Sequence, residues 1–261
     1  MSRIAMNPEK EVAEHGVGPW ETDFAGRKFR TDAYTLLEWL RPHSVDAVIT
    51  DPPYVIGVEG QEWDRQDIYI DWLAYQFARV TKPDGHVFVF CSDLQFGSWY
   101  DELSLYYTKL RKYAWCKTNP EEGKMSALKD FAESFELAIH ASNDDSAFCQ
   151  TEPVLNHIVT PRVQGRQRSE KAPDKKTGKR KALHPTQKHL DVLDHIICAM
   201  TEPGDTILDP FAGTHSTALA AENRGRRYLT NDITPYYWWV DEDEVIEGWL
   251  DNSRRMNPDK K

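Results

Sequence analysis

Two rhythms of apolar and polar positions alternate along the chain. Val45–Thr50 and Val87–Cys91 are short, nearly continuous apolar runs, the pattern of strands covered on both faces. Around them apolar residues recur at helical spacing. Thr31 to Leu40 predicts a short helix, and Ile70 to Thr81 places Trp72, Leu73, Phe77 and Val80 along one side of another. Lys82-Pro83-Asp84-Gly85 reads as a turn between that helix and the second strand. Helix signals then run to about Leu110, and strands are expected at Tyr113–Lys117 and Phe135–Ala141. Such alternation predicts an α/β fold with a parallel sheet covered on both faces.

The rhythm lapses from Asn143 to Leu183 and then resumes. Leu190, Leu193, Ile196, Ile197 and Met200 make one helix face. A turn at Glu202–Asp205, a strand at Thr206–Leu208, a helix at about Ser216–Arg224 and a strand at Tyr228–Thr230 follow, with a last helix from about Pro235 to Leu250. There is no internal repeat.

The 261 residues suffice for one large domain, or one domain with an insertion. The net charge is −10, yet residues 162–181 hold nine basic side chains against two acids. A local positive face of that kind is what nucleic acid requires of an otherwise acidic protein. No apolar run approaches the ~18 residues of a membrane span. The opening MSRIAMNPEKEVAEHG lacks the apolar core of a signal peptide. Four cysteines form no C-x-x-C pair and read as reduced, buried thiols of a cytosolic protein. Nine histidines show no metal-ligand spacing, so no metal is expected.

Two strand-to-loop corners carry chemistry: VITDPPY at residues 48–54 and ILDPFAG at 207–213. Ligands of open parallel sheets bind outside the carboxyl ends of the strands. At the second corner, Phe211-Ala212-Gly213-Thr214 leads into a helix, whose N-terminus offers free N–H groups. Asp232 follows Asp209 by 23 residues, near the spacing at which an acid accepts hydrogen bonds from ribose hydroxyls. A nucleoside cofactor suits this corner. At the first, a carboxylate (Asp51) and a carbonyl (Pro52) can each accept one N–H of an aromatic amino group, localising its lone pair. Proline keeps the corner rigid, and Tyr54 offers a stacking face with its hydroxyl at the wet rim. The bland alternative for Asp51-Pro52-Pro53-Tyr54 is a turn and nothing more.

VDAVITDPPY, HPTQKH and DPFAG, in that order, resemble the DNA amino-methyltransferases of the β-class arrangement. TKPDGHVFVFCSD, YAWCKTNP and GRRYLTND resemble further segments of that family, and the likeness runs from about Thr31 to Leu250. It implies a Rossmann-like, doubly wound, mostly parallel sheet with permuted motif order and a small target-recognition insertion. The implied divisions are an N-terminal extension at 1–30, a catalytic half at 31–141, the insertion at 142–183 and a cofactor-binding half at 184–261. The implied reaction is methyl transfer from S-adenosylmethionine to adenine N6 of a flipped base in duplex DNA. Asp51, Pro52, Pro53 and Tyr54 would form the catalytic corner. Phe211, Gly213 and Thr214 would line the cofactor loop, with Asp209 and Pro210 at its entrance and Asp232 on the ribose. His184, Pro185, Thr186 and Lys188 would lie near the methionine end, and Asp32 near the adenine. The family's loop has a second glycine where this chain has His215, a change that reshapes the loop or weakens the cofactor site.

Several readings stay open on sequence alone. Asp as the first residue of DPPY favours adenine over N4 of cytosine. A non-catalytic DNA-binding protein with a degenerate cofactor loop is the rival from another class. Arg162, Arg166, Arg168, Lys175, Lys176, Lys179 and Arg180 are either DNA contacts or a solvated loop. The segment after Tyr54, with Trp63, is a flap over the base or ordinary surface. Tyr236 to Trp239 packs on the sheet, stacks at the cofactor edge or meets a second copy; a homodimer and a separate restriction endonuclease are possible partners.

Overall fold

The computed structural model describes residues 27–29, 32–55, 68–119, 134–150, 152–161 and 188–233. Within them the order is β1 (Arg27–Phe29), α1 (Ala33–Trp39), β2 (Val45–Thr50), α2 (Ile70–Val80), β3 (Thr81–Cys91), α3 (Asp93–Leu103), β4 (Lys109–Lys117), β5 (Phe135–Ser142), β6 (His157–Thr160), α4 (Leu190–Met200), β7 (Thr206–Asp209), α5 (Ser216–Asn223) and β8 (Arg227–Asn231). The described strands form one sheet in the order β1-β8-β7-β2-β3-β5-β4-β6. All pairings are parallel except those of β5 with β3 and β4. From β2 the chain winds one way through α2 to β3, and from β7 the other way through α5 to β8. The winding therefore reverses between β7 and β2, the ligand-binding place of doubly wound sheets.

The continuous apolar runs divide between the two faces as pleating demands. Val48, Val87 and Val89 face a core with Leu36, Leu37, Phe77, Trp99 and Leu103 of α1–α3. Ala47, Ile49, Phe88 and Phe90 face Leu193, Ile196, Ile197 and Met200 of α4, with Ala220 and Ala221 of α5. Trp99 and Trp115 are fully buried, and each large apolar side chain so placed contributes about 1.5–3 kcal/mol. Asp32 caps α1, its Oδ1 accepting from the amides of Tyr34 and Thr35. At the other end the Arg79 guanidinium donates to the carbonyls of Leu37 and Leu40, at 2.5 and 2.7 Å.

Four expectations need correction. The Lys82–Gly85 segment does not end a helix ahead of a later strand: it is already part of β3, which runs beside β2 with a register irregularity between Val45 and Ala47. The helix expected to reach Leu110 stops at Leu103, because Lys109–Tyr113 pair with Ala138–Ser142 of β5. His157–Thr160, inside the stretch read as an insertion, adds β6 to the sheet beside β4. Of the cysteines only Cys91 is buried; Cys116, Cys149 and Cys198 are half-buried. The expected helix at 235–250 lies outside the described residues. Among those described, no helix is long and apolar enough to cross a membrane.

Candidate active site

β2 and β7 are neighbours in parallel register, Ala47 opposite Ile207 and Val48 opposite Leu208, so their carboxyl ends emerge side by side. One hydrogen bond joins the two corners: Thr50 Oγ1 donates to Asp209 Oδ1 at 2.8 Å. Asp209 also accepts from Thr217 Oγ1 at 2.6 Å and from the Phe211 amide at 3.2 Å. This buried acid therefore clasps the end of β2, the loop after β7 and the start of α5. Sequence reasoning placed Asp209 at a cofactor entrance; its two oxygens are instead spent inside the protein. Burial pushes its carboxyl up to about 7, against the pull of Thr217, Thr50 and the Phe211 amide.

The second corner is built from backbone. Gly213 takes φ +52°, and its amide donates to Asp232 Oδ2 at 2.8 Å. The Ala212 amide donates to the Asn231 carbonyl at 2.7 Å, and Asn231 Nδ2 donates to that of Pro210 at 3.1 Å. The loop is thus moored to the end of β8 with Phe211, Ala212 and Gly213 half-exposed. The Thr214 side chain is buried, its hydroxyl 2.7 Å from that of Ser216. His215, the residue in place of the family's glycine, caps α5 in the left-handed conformation, φ +56°. It adopts the backbone a glycine would take, and its fully buried ring meets Thr230 Oγ1 of β8 at 2.8 Å. The ring fills the gap between loop and sheet, so the substitution alters the packing beneath the loop.

At the first corner Pro52 is buried and Asp51, Pro53 and Tyr54 are half-buried. Gln95 of α3 donates to the carbonyl of Pro53 at 3.1 Å, fastening the corner and leaving that of Pro52 to another donor. Lys188 Nζ reaches Asp51 Oδ2 at 2.5 Å and Glu136 Oε2 at 2.8 Å, while Lys117 Nζ holds Glu136 Oε1 at 2.6 Å. The same Lys188 ammonium lies 4.7 Å from the Phe90 ring centroid and 5.6 Å from that of Tyr54. Burial pushes the Asp51 carboxyl up, Lys188 draws it down and Glu136 pushes it up again, for a net rise. Burial opposes the charge of Lys188, but Asp51 and Glu136 outweigh it and raise its pKa. The Tyr54 hydroxyl, expected at a wet rim, turns instead toward Lys188 at 3.5 Å; burial, then the charges of Asp51 and Glu136, hold its pKa well above the ordinary value. Tyr54 also favours the ionised form of Asp51. Even so, Asp51 Oδ1 is buried and takes no hydrogen bond of ordinary geometry among the described residues.

That open carboxylate oxygen and a moored glycine loop stand on adjacent strand ends. The pattern of the DNA methylase family covers residues 45–239, from the start of β2 past β8. The chain belongs to that family. The methylase is 28% identical over 249 residues to the type II methyltransferase M2.LlaDCHI of Lactococcus lactis subsp. cremoris, covering 83% of this chain and 88% of that protein. It is 27% identical over 236 residues to the DNA adenine methyltransferase YhdJ of Escherichia coli K12, covering 79% and 78%. In fold it resembles the M1.HpyAVI–SAM complex, with TM-score 0.62 at 22% identity over 85% of this chain and 98% of the other. It also resembles the cytosine-N4-specific PvuII DNA methyltransferase, with TM-score 0.64 at 16% identity over 92% and 95%.

Among the residues expected at the site, the structure gathers Asp51, Pro52, Pro53, Tyr54 and Lys188 at one corner. Asp209, Pro210, Phe211, Gly213, Thr214 and Asp232 lie at the other. Asp32 is occupied in capping α1. His184, Pro185 and Thr186 lie outside the described residues, as do Arg162, Arg166, Arg168, Lys175, Lys176, Lys179 and Arg180. Sequence reasoning missed Glu136, Lys117, Gln95 and Thr50. Glu136 carried one signal, an acid in an otherwise apolar strand start, FELAIHA. Among the described residues no cluster of three or more His, Cys, Asp or Glu is placed to hold a metal.

Proposed function

We propose that the protein transfers a methyl group from S-adenosylmethionine to N6 of an adenine flipped out of duplex DNA. The observation that carries this reading is the buried Asp51 Oδ1, which takes no hydrogen bond of ordinary geometry among the described residues, at a corner that Thr50 joins to Asp209 at the start of the glycine loop. The chain's residues fit such a cofactor. A loop with a positive-φ glycine, moored by Asp232, leaves backbone accessible at the point where the winding reverses. When bound there, S-adenosylmethionine supplies an electrophilic methyl on a positively charged sulfur. Phe211 to Gly213 would face it, with Asp232 beside the ribose.

Asp51 Oδ1 would accept one N–H of the base and the Pro52 carbonyl the other. Two acceptors fixed on one side of an aromatic amine draw its lone pair to the opposite side, and a rigid corner supplies them without reorganisation. The half-buried Tyr54 offers a ring face against which a base can stack. The relation to YhdJ and the leading Asp of DPPY favour adenine over cytosine. The basic side chains of 162–181 would contact phosphates, which position the duplex without reading its sequence.

Nucleoside mass spectrometry of duplex DNA incubated with the protein and S-adenosylmethionine tests the base and the atom together. N6-methyladenine is expected. 4-Methylcytosine, or no modified nucleoside at all, would refute the assignment.

A further inference from the structure

Lys117, Glu136, Lys188 and Asp51 form one row of alternating charge across the end of the sheet where β4 ends, β5 begins and β2 gives way to the catalytic corner. Successive contacts are 2.6, 2.8 and 2.5 Å, and the side chains retain only 19, 19, 8 and 22% exposure in that order. The row is neutral as a whole but uneven along its length. Among the described residues, Glu136 has an ammonium against each oxygen, whereas Asp51 shares a single ammonium through Oδ2. Lys188 has three donors and no acceptor. The ammonium is ion-paired with Asp51 Oδ2 and Glu136 Oε2, and it also faces the Tyr54 hydroxyl at 3.5 Å. Its nitrogen is therefore consumed within the protein. Glu136 pulls from the far side and pins the ammonium against one oxygen of Asp51. Without that pull, Lys188 would be free to centre on both oxygens and cover the acceptor the reaction requires.

We propose that Glu136 is a positioning residue for Asp51: acting through Lys188, it decides which carboxylate oxygen stays open to the base and keeps that oxygen's charge from being fully neutralised. This rests on the methyl-transfer reading of Asp51. The groups facing Asp51 are Lys188 ahead of α4, Glu136 of β5, Tyr54 of its own corner, Cys91 at the end of β3 and Asp209 at the end of β7. Lys117 of β4 stands behind Glu136. Glu136→Gln removes the competitor and gives Asp51 the whole of Lys188; Lys188→Met removes the only ammonium, among the described residues, in contact with Asp51. The two changes must displace the titration of Asp51 in opposite directions, and a positioning role adds a loss of kcat without a loss of cofactor affinity.

The experiment is a carbon NMR titration of the Asp51 carboxyl in the full chain, its signal assigned by its loss in Asp51→Asn. The midpoint is expected to move to lower pH in Glu136→Gln and to higher pH in Lys188→Met. In parallel, kcat of Glu136→Gln should fall roughly ten- to hundredfold, as for other groups that orient a reacting side chain. The dissociation constant for S-adenosylmethionine should stay within about twofold, since only the base side of the site is disturbed. An Asp51 midpoint unmoved by Glu136→Gln, or an undiminished kcat, would overturn the proposal. If Lys188→Met does not fold, the isosteric Glu136→Gln still decides it. A wild-type protein that methylates no base would end the methyl-transfer reading, while the titration would still decide the row.

Discussion

Burial lifts the Asp209 carboxyl to about 7, although Thr217, Thr50 and the Phe211 amide all donate to it. An unfolded aspartate titrates near ~3.9. Between those values the folded protein retains a proton that the unfolded chain has released. The stability this group contributes is complete below the window and is lost as pH rises through it, on the order of a few kcal/mol. Asp209→Asn removes the titration while keeping the shape. Its melting temperature relative to wild type should therefore improve from about pH 5 to about pH 8. A difference constant with pH would show that Asp209 is not the titrating group. At this scale the sequence conveyed chemical type better than role. Asp51 and Tyr54 were legible because DPPY states them. Asp209 was visible as an acid at a strand end, but its partners Thr50 and Thr217 come from other elements and have no local signature. Glu136 and Lys117 acquire meaning only when β4 and β5 pair and Lys188 arrives from a distant part of the chain.

β3 begins at Thr81, directly after α2, and passes through Lys82–Gly85 beside β2. Gly85 is needed there. A Cβ on it would lie 2.5 Å from the Asp46 carbonyl and 2.7 Å from Thr81 Cγ2. Asp46 cannot easily give way, since it is bound to Lys82 and to the Thr206 amide. Gly85→Ala should cost about 1–3 kcal/mol by overpacking, measured by urea denaturation with an unchanged slope. The helix α5 offers a second test. His215 supplies a left-handed cap and a buried ring, so His215→Gly preserves the backbone and leaves a cavity. Its melting temperature should fall, while calorimetry should find S-adenosylmethionine bound within a fewfold of wild type. A large loss of affinity at unchanged stability would mean that the ring serves the cofactor directly. Elements with clean periodicity, such as α2, α4 and β2, were legible nearly to the residue. β6 was not: His157–Thr160 is a four-residue edge strand, partly exposed, and too short to show a period.

On the scale of the whole molecule, an acidic chain must present a positive face to a polyanion. The nine basic residues of 162–181 are the densest source of that charge. Replacing Lys175, Lys176, Lys179 and Arg180 with alanine should weaken binding to any duplex alike. It should also flatten the dependence of log K on log salt by about 0.9 for each phosphate no longer neutralised. An unchanged slope would assign the segment to solvent. The sheet architecture was legible because alternation of helix and strand admits few topologies; the antiparallel place of β5 was not, since strand direction leaves no mark on composition. What the fold accomplishes is to bring two corners, 158 residues apart in sequence from Asp51 to Asp209, to adjacent strand ends joined by Thr50 and Asp209. The most direct test of that arrangement is to measure methyl transfer and S-adenosylmethionine binding side by side in Asp51→Ala. Transfer should fall by about 10²-fold or more with cofactor affinity nearly unchanged. A variant that kept most of its activity, or lost activity and cofactor together, would contradict the division of labour between the two corners.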